Sequence, residues 1–331
     1  MFDHYIGVDW AQKNMAITKM AKNANSVTVI DVPADLKELQ LYLSKLKGKK
    51  ALTFEETNTS QWLYTELKDY ADEIVVCDPH RNKLLSDGTS NDKCDASKLV
   101  QLLKAGLLKR VFHSGDEYIY LRKIVSGYND LIQAGVRLKN QRSALFRAQG
   151  KKKSEKYLEH PAEQFVLKGL DEGIATYEQE KIRYEDEFSR LVKKHKTIRN
   201  LESVPGIGPI SAVKIAAIVV DPKRFKSKGH FLSYCGLIKH DEMSGGRCYG
   251  KRTPRFSRSL KSVFKTCTLA AICEGRNNPI RARYEYLLHE KHLADHDARH
   301  SICRWIATLA WAVMKENKKY QPQVKWECKT T

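Results

Sequence analysis

Apolar and polar positions change period along the chain. YIGVDWA (5–11), MAITKM and SVTVIDV alternate at strand spacing and are rich in β-branched residues, which predicts three strands before residue 34. Asp35 stands where a helix N-cap belongs, ahead of DLKELQLYLSKL with its helical periodicity. ALTFE (51–55) is a buried-strand candidate that ends in an acid, Ser60 opens a second helix in SQWLYTELKDY, and EIVVCD (73–78) returns to strand. A third helical segment follows in LLSDGTSNDKCDASKLVQLL. The predicted order β-β-β-α-β-α-β-α is that of a mixed α/β sheet with helices on its faces.

Farther along, the period becomes three and four. Leu121, Ile124, Tyr128, Leu131, Gly135, Leu138, Arg142 and Leu145 form one run, and Leu167, Leu170, Ile174, Tyr177, Lys181, Tyr184, Phe188 and Leu191 another. Two long amphipathic helices interrupted by the polar break QGKKKSEK predict an antiparallel coiled-coil hairpin, a natural place for oligomer contacts. From residue 201 the segment LESVPGIGPISAVKIAAIV begins a helical unit. Its Pro-Gly-x-Gly turn would present backbone N–H groups at a helix start, a usable phosphate cradle. A long helical run, SICRWIATLAWAVMKENK, comes near the end.

At 331 residues the chain exceeds what one hydrophobic core ordinarily serves. The changes of period divide it into residues 1–112, 113–199 and 200–331. Charge follows that division. Residues 1–112 hold 16 Lys and Arg against 15 Asp and Glu, which leaves 42 against 24 on residues 113–331, so almost all of the net +19 lies there. Such an excess predicts a polyanionic partner, DNA or RNA. An anionic membrane surface is a weaker fit, because no long apolar run or amphipathic anchor stands out. The opening MFDHYIGVDW lacks the basic flank and apolar stretch of a secretion signal. The eight cysteines are scattered without a close CxxC pair, so a reduced, cytoplasmic, nucleoid-associated protein is expected and a zinc ribbon is not. His289, His292, His296 and His300 recur at near-helical spacing, which suits a solvated basic face better than a metal site.

Candidate chemistry gathers on acids. Asp9 lies in the first predicted strand, Glu55 ends the strand 51–55, and Asp92 and Asp95 are three apart on one helix face. Four converging carboxylates would repel one another unless a divalent cation neutralised them, and hard oxygen ligands suit Mg²⁺ or Mn²⁺. Each acid also has a plainer reading: Asp92 as an N-cap, Asp95 as a first-turn acid, Glu55 as a surface residue. Periodicity does not choose between Glu55 and Glu56.

With these motifs in order, the chain resembles the insertion-sequence 110 transposases and Piv-type DNA invertases, the bridge-RNA-guided recombinases. YIGVDWAQKN resembles their first-strand motif, with Asp9 as its acid. FEETNT (54–59) resembles a Glu-Ala-Thr-Gly-Thr segment and selects Glu55 over Glu56, and NDKCDA (91–96) resembles the paired-acid motif of Asp92 and Asp95. LESVPGIG (201–208) and FLSYCGL (231–237) resemble hallmark stretches of a C-terminal transposase domain, and EMSGGRCYG (242–250) places Ser244 on the family's nucleophile. Two positions depart from the pattern: Asn58 replaces a glycine, and Gly246 replaces a serine.

The resemblance implies a RuvC-like (RNase H-type) α/β domain with a DEDD site of Asp9, Glu55, Asp92 and Asp95, a hairpin for assembly, and a mainly helical domain carrying Ser244. It implies Mg²⁺ at the acids and a covalent phosphoserine intermediate. The expected partners are donor and target DNA, a noncoding bridge RNA, and further copies of the chain as dimer and tetramer. Ser244 also has local support: glycines follow it, and the segment 251–265 carries six basic residues and no acid. The rival readings are a metal-dependent junction nuclease that uses water, and a non-catalytic DNA- or RNA-binding protein.

Overall fold

A computed structural model describes residues 2–24, 26–79, 92–111, 116–150, 158–275 and 278–322, with side chains of the third helix described from residue 97. The chain forms two compact units, Met1–Asp116 and Glu117–Thr331.

In the first unit the predicted order appears. Strands β1 (His4–Trp10), β2 (Asn14–Ala21) and β3 (Thr28–Pro33) precede helix α1 (Leu36–Lys45). Then come β4 (Lys50–Glu55), α2 (Ser60–Leu67), β5 (Glu73–Cys77) and α3 (Asp92–Lys104). The Asp35 carboxylate accepts the Lys37 and Glu38 N–H groups, so the predicted N-cap is formed. One five-stranded sheet runs β3-β2-β1-β4-β5, antiparallel among β1, β2 and β3 and parallel among β1, β4 and β5. Alternation sorts its faces. Ile6, Val8, Leu52, Phe54 and Val76 bury against Leu39 and Leu43 of α1 and Leu63 and Leu67 of α2. Tyr5, Ala51 and Val75 meet Val100 and Leu103 of α3 on the other face. The mixed sheet expected of a RuvC-like domain is present.

The second unit is mainly helical. Helices α4 (Asp116–Ala148) and α5 (Pro161–Lys194) are followed by α6 (Lys196–Leu201), α7 (Pro209–Val219) and α8 (Lys228–Tyr234). Strands β6 (His240–Ser244) and β7 (Arg247–Arg252) interrupt the helices, and α9 (Arg258–Cys273), α10 (Pro279–His289) and α11 (Asp295–Glu316) complete them. Contacts between α4 and α5 run antiparallel: Tyr120 hydroxyl to Glu187 at 2.9 Å, Lys139 to Glu178 at 2.5 Å, Arg142 to Asp171 at 2.6 Å. A Cβ at Gly127 or Gly135 would run into Tyr184 or Tyr177, so glycine lets those rings lie against the neighbouring helix. Leu121, Val125, Tyr128, Phe188 and Leu191 belong to the same core as the helices beyond residue 198, including the apolar interior of α7 and α11. The lysines at 151–153 lie outside the described residues.

Candidate functional site

Parallel pairing places two of the candidate acids. β1 and β4 pair in register from His4–Lys50 to Gly7–Thr53. Asp9 and Glu55 lie two residues farther along each strand, on neighbouring strands about 4.8 Å apart, and alternate to one face. That face is the one covered by α3, because Tyr5 and Ala51, four residues back on each strand, pack on α3. Both acids are half-buried. Thr53 tightens the strands below them: its hydroxyl donates to the Val75 carbonyl at 2.7 Å and lies 3.9 Å from the Cys77 thiol.

Glu56 takes the opposite place. It is exposed, and its backbone N–H donates to the Cys77 carbonyl at 2.9 Å, while Glu55 is the residue in register with Cys77. The β4–α2 loop is ordered by hydroxyls: Thr57 and Thr59 lie 3.0 Å apart, and Ser60 donates to the Thr57 carbonyl at 2.8 Å. Asn58 is not among the residues with positive φ, so asparagine meets no left-handed demand at this position. Asp92 and Asp95 fall on the first turn of α3, and their side chains lie outside the described residues. Among the described residues no three His, Cys, Asp or Glu gather into a metal-binding group, and that holds for His289, His292, His296 and His300 as well.

Ser244, expected in a mainly helical domain, is the last residue of strand β6, paired with Arg247 across a two-residue turn. Gly245 (φ 55°) and Gly246 (φ 77°) supply the two positive φ values that a type I′ hairpin turn requires. The turn therefore accounts for these glycines without a ligand. Every residue of the hairpin is exposed except half-buried Gly250, with Met243 at 62% and Tyr249 at 73%. Its base is fastened. The Ser257 N–H donates to the Tyr234 carbonyl at 2.9 Å, Ser233 Oγ lies 3.1 Å from His240 Nε2, and the Phe256 ring fills the space beside Gly236.

One amide of the Pro205–Gly208 turn, expected as a phosphate cradle, has a partner inside the protein. The Gly206 N–H already donates to Glu274 Oε2 at 3.1 Å, and a carboxylate there opposes an incoming phosphate. Gly206 (φ 81°) is required for packing, since a Cβ would strike the Cys267 carbonyl and Ala271 of α9. Sequence alone offers no signal for Glu274, which reaches the turn from 68 residues away. Among the described residues the cysteines form no disulfide, and burial pushes the Cys267 thiol up to about 11, away from reactivity. No helix among the described residues is long and apolar enough to cross a membrane.

Comparison with known proteins covers both units. Residues 198–285, which include Ser244, match the model described as Transposase IS116/IS110/IS902 family. Residues 6–148, which include Asp9, Glu55, Asp92 and Asp95, match the DEDD transposase model of IS110 elements. An insertion element IS116 protein of Streptomyces clavuligerus is 29% identical over 126 residues, 37% of this chain and 30% of its own length. A probable family 20 transposase of Pseudomonas aeruginosa is 26% identical over 159 residues, 47% of each chain. A putative transposase of Sinorhizobium fredii is 22% identical over 289 residues, 81% of this chain and 70% of its own. The chain thus spans less than half the length of the first two relatives. With one matched region in each compact unit, the chain belongs to the IS110/IS116/IS902 family of transposases.

Proposed function

We propose that the chain is a site-specific DNA recombinase in which Ser244 is the nucleophile and Asp9, Glu55, Asp92 and Asp95 form a DEDD metal site. The observation that carries the acid site is the register: Asp9 and Glu55 end on one face of neighbouring parallel strands, under the helix that begins with Asp92. The acids would hold Mg²⁺, or Mn²⁺, because carboxylate oxygens are the hard donors such ions take. Bound there, the cation would supply charge neutralisation at the attacked phosphate and at both the attacking and leaving oxygens. Glu56, exposed just beyond the end of β4, is assigned no part in it.

Ser244 Oγ attacks phosphorus, the hydroxyl proton is lost, and the bond from phosphorus to the 3′ oxygen breaks with protonation of that oxygen. The products are a phosphoserine joined to the 5′ side and a free 3′ hydroxyl. The ester conserves the phosphate bond, which simple hydrolysis would lose, and a 3′ hydroxyl can reverse the step on another strand. Arg247, opposite Ser244 in the ribbon, and the six cations of residues 251–265 would position phosphates beside it.

Specificity would come from base pairing by a noncoding bridge RNA with donor and target DNA. A chain rich in Lys and Arg, without a recognisable sequence-reading module, suits backbone and shape recognition. Residues 1–112, 113–199 and 200–331 would act as catalytic domain, coiled-coil hairpin and transposase domain. Dimers and a tetramer would form through the hairpin, on which Phe165 is 82% and Ile182 is 59% exposed. Light scattering of the RNA–DNA complex would return a monomer mass if this assembly is wrong.

The deciding experiment incubates the protein with labelled donor, target, RNA and Mg²⁺, followed by denaturing electrophoresis and peptide mapping. Wild type should give an adduct on Ser244, and Ser244→Ala should bind nucleic acid yet give neither adduct nor recombinant. Cleavage without any adduct would favour the junction nuclease, and recombination by Ser244→Ala would refute the nucleophile.

A further inference from the structure

From Met243 to Cys273 the chain has no Asp or Glu and seven Lys or Arg: Arg247, Lys251, Arg252, Arg255, Arg258, Lys261 and Lys265. The last three lie on α9, which packs against α11. From Ala298 to Lys315, α11 is also free of acids, and it presents His300 and Arg304 one turn apart. Several cations elsewhere in this unit are matched. Lys139 pairs with Glu178, Arg142 with Asp171, Arg183 with Glu180, Arg281 with Glu285, and Arg299 with Asp295. Among the described residues, Lys261, Lys265 and Arg304 have no such partner.

These groups share one neighbourhood. Lys261 Nζ stands 4.7 Å above the centre of the Phe256 ring, and that ring packs beside Gly236 at the base of the hairpin. The half-buried His300 ring lies near enough to the backbone of Leu237, the residue next to Gly236, for that backbone to favour its protonated form. Burial raises the pKa of the Cys303 thiol, and Lys265, Lys261 and Arg304 are all close enough to oppose that rise. Like charges collected without a counter-charge repel one another, so the cluster is stabilised by whatever anion it meets.

We propose that Lys261, His300 and Arg304, with Lys265 one turn along α9, form a binding site for the phosphates of a nucleic-acid strand at the base of the Ser244 hairpin. The site rests on the reading that the chain handles nucleic acid, and adds to it a set of α11 residues that the basic run does not contain. A strand held there would lie beside the entry and exit of the ribbon, which are fastened to the helices by Ser257 and Phe256. DNA and RNA present the same phosphodiester chemistry, so separate arms of the test distinguish them.

His300 gives the site a signature. Burial lowers its pKa, and Arg304, His296 and Lys261 lower it further against the opposing effect of the Leu237 backbone. The nearest acid on α11 is Asp297, 3.4 Å from His296. A phosphate would favour the protonated ring, so binding takes up a proton and strengthens as pH falls below the ordinary histidine range.

The test is fluorescence-anisotropy titration of full-length protein with labelled duplex DNA and, separately, structured RNA, in EDTA so that no chemistry intervenes. Lys261→Gln/Arg304→Gln should bind the true ligand roughly tenfold more weakly near physiological salt, with the slope of log K against log salt shallower by about 2. Arg183→Gln, whose cation is already paired with Glu180, should leave both unchanged. Wild-type affinity should rise between pH 7.5 and pH 5.5, and His300→Gln should lose that gain. Thermal melts establish that each variant is folded, and exposed Lys265→Gln stands in if the double variant is not, with a slope change of about 1. A folded double variant with wild-type slope on both ligands would overturn the site, and a full pH gain in His300→Gln would remove His300 from it. Wild type that binds neither ligand would overturn the nucleic-acid reading as well.

Discussion

The sheet end that carries Asp9 and Glu55 and the ribbon that carries Ser244 are built in opposite ways. The strands under the acids are covered on both faces, by α1 and α2 on one side and α3 on the other, with Ile6, Val8 and Leu52 fully buried. The ribbon has two strands, no helix over it among the described residues, and side chains open to solvent from Met243 to Tyr249. An isolated two-stranded hairpin is marginal in water, whereas a covered sheet is rigid. Metal ligands gain from being held in place before the ion arrives. A nucleophile that must reach a strand of DNA gains from an accessible mount that a ligand can complete. The contrast suits a division of labour between the two units.

The largest expected effect tests the rigid side. Asp9→Asn or Glu55→Gln should lower strand cleavage on the order of 10³-fold with no change in melting temperature, whereas Glu56→Gln should remain close to wild type. Equal losses from Glu55→Gln and Glu56→Gln would show that the strand register does not select the ligand.

Stability should separate the regions next. Phe54→Ala removes a ring that is 2% exposed in the sheet core and should cost about 3–5 kcal/mol by urea denaturation. Tyr249→Ala, on a ring 73% exposed, should stay within about 0.5 kcal/mol. If Tyr249→Ala proves as costly as Phe54→Ala, the ribbon is covered in solution and the contrast fails.

The smallest effects distinguish the ribbon's base from its tip. Gly236→Ala imposes a side chain at φ 67° and drives it into Phe256, so its cost should exceed about 1 kcal/mol. Gly245→Ala at φ 55° meets open space, and only the backbone preference of about 1 kcal/mol opposes it. Calorimetric melts of the two variants would erase the distinction if Gly245→Ala were the more harmful.

Much of this was legible in the chain itself, and the reason is local. Strand alternation, the Asp35 cap and the three-four periodicity of the long helices act over a few residues, and they predicted the elements of the first unit and the two long helices of the second, but not the β6–β7 ribbon. Charge per segment is likewise additive, so the basic character of residues 113–331 needs no fold to be seen. Pattern alone left Glu55 and Glu56 undecided. The parallel pairing of β1 with β4, formed across more than forty residues, puts Glu55 on the face of Asp9 and leaves Glu56 exposed. In the sequence Gly245 and Gly246 are simply small residues after Ser244, and only the pairing of Ser244 with Arg247 shows them to be a hairpin turn. Glu274, 68 residues away, meets the Gly206 amide only through the packing of the helices. In the same way, sequence places Lys261 and Arg304 on two separate helices, and the packing of those helices brings both within electrostatic reach of Cys303. Sequence determined what each segment becomes, because hydrogen bonding and amphipathicity are short-range. Which side chains meet was decided by long-range register and helix packing, and the chemistry of the sites depends on those meetings.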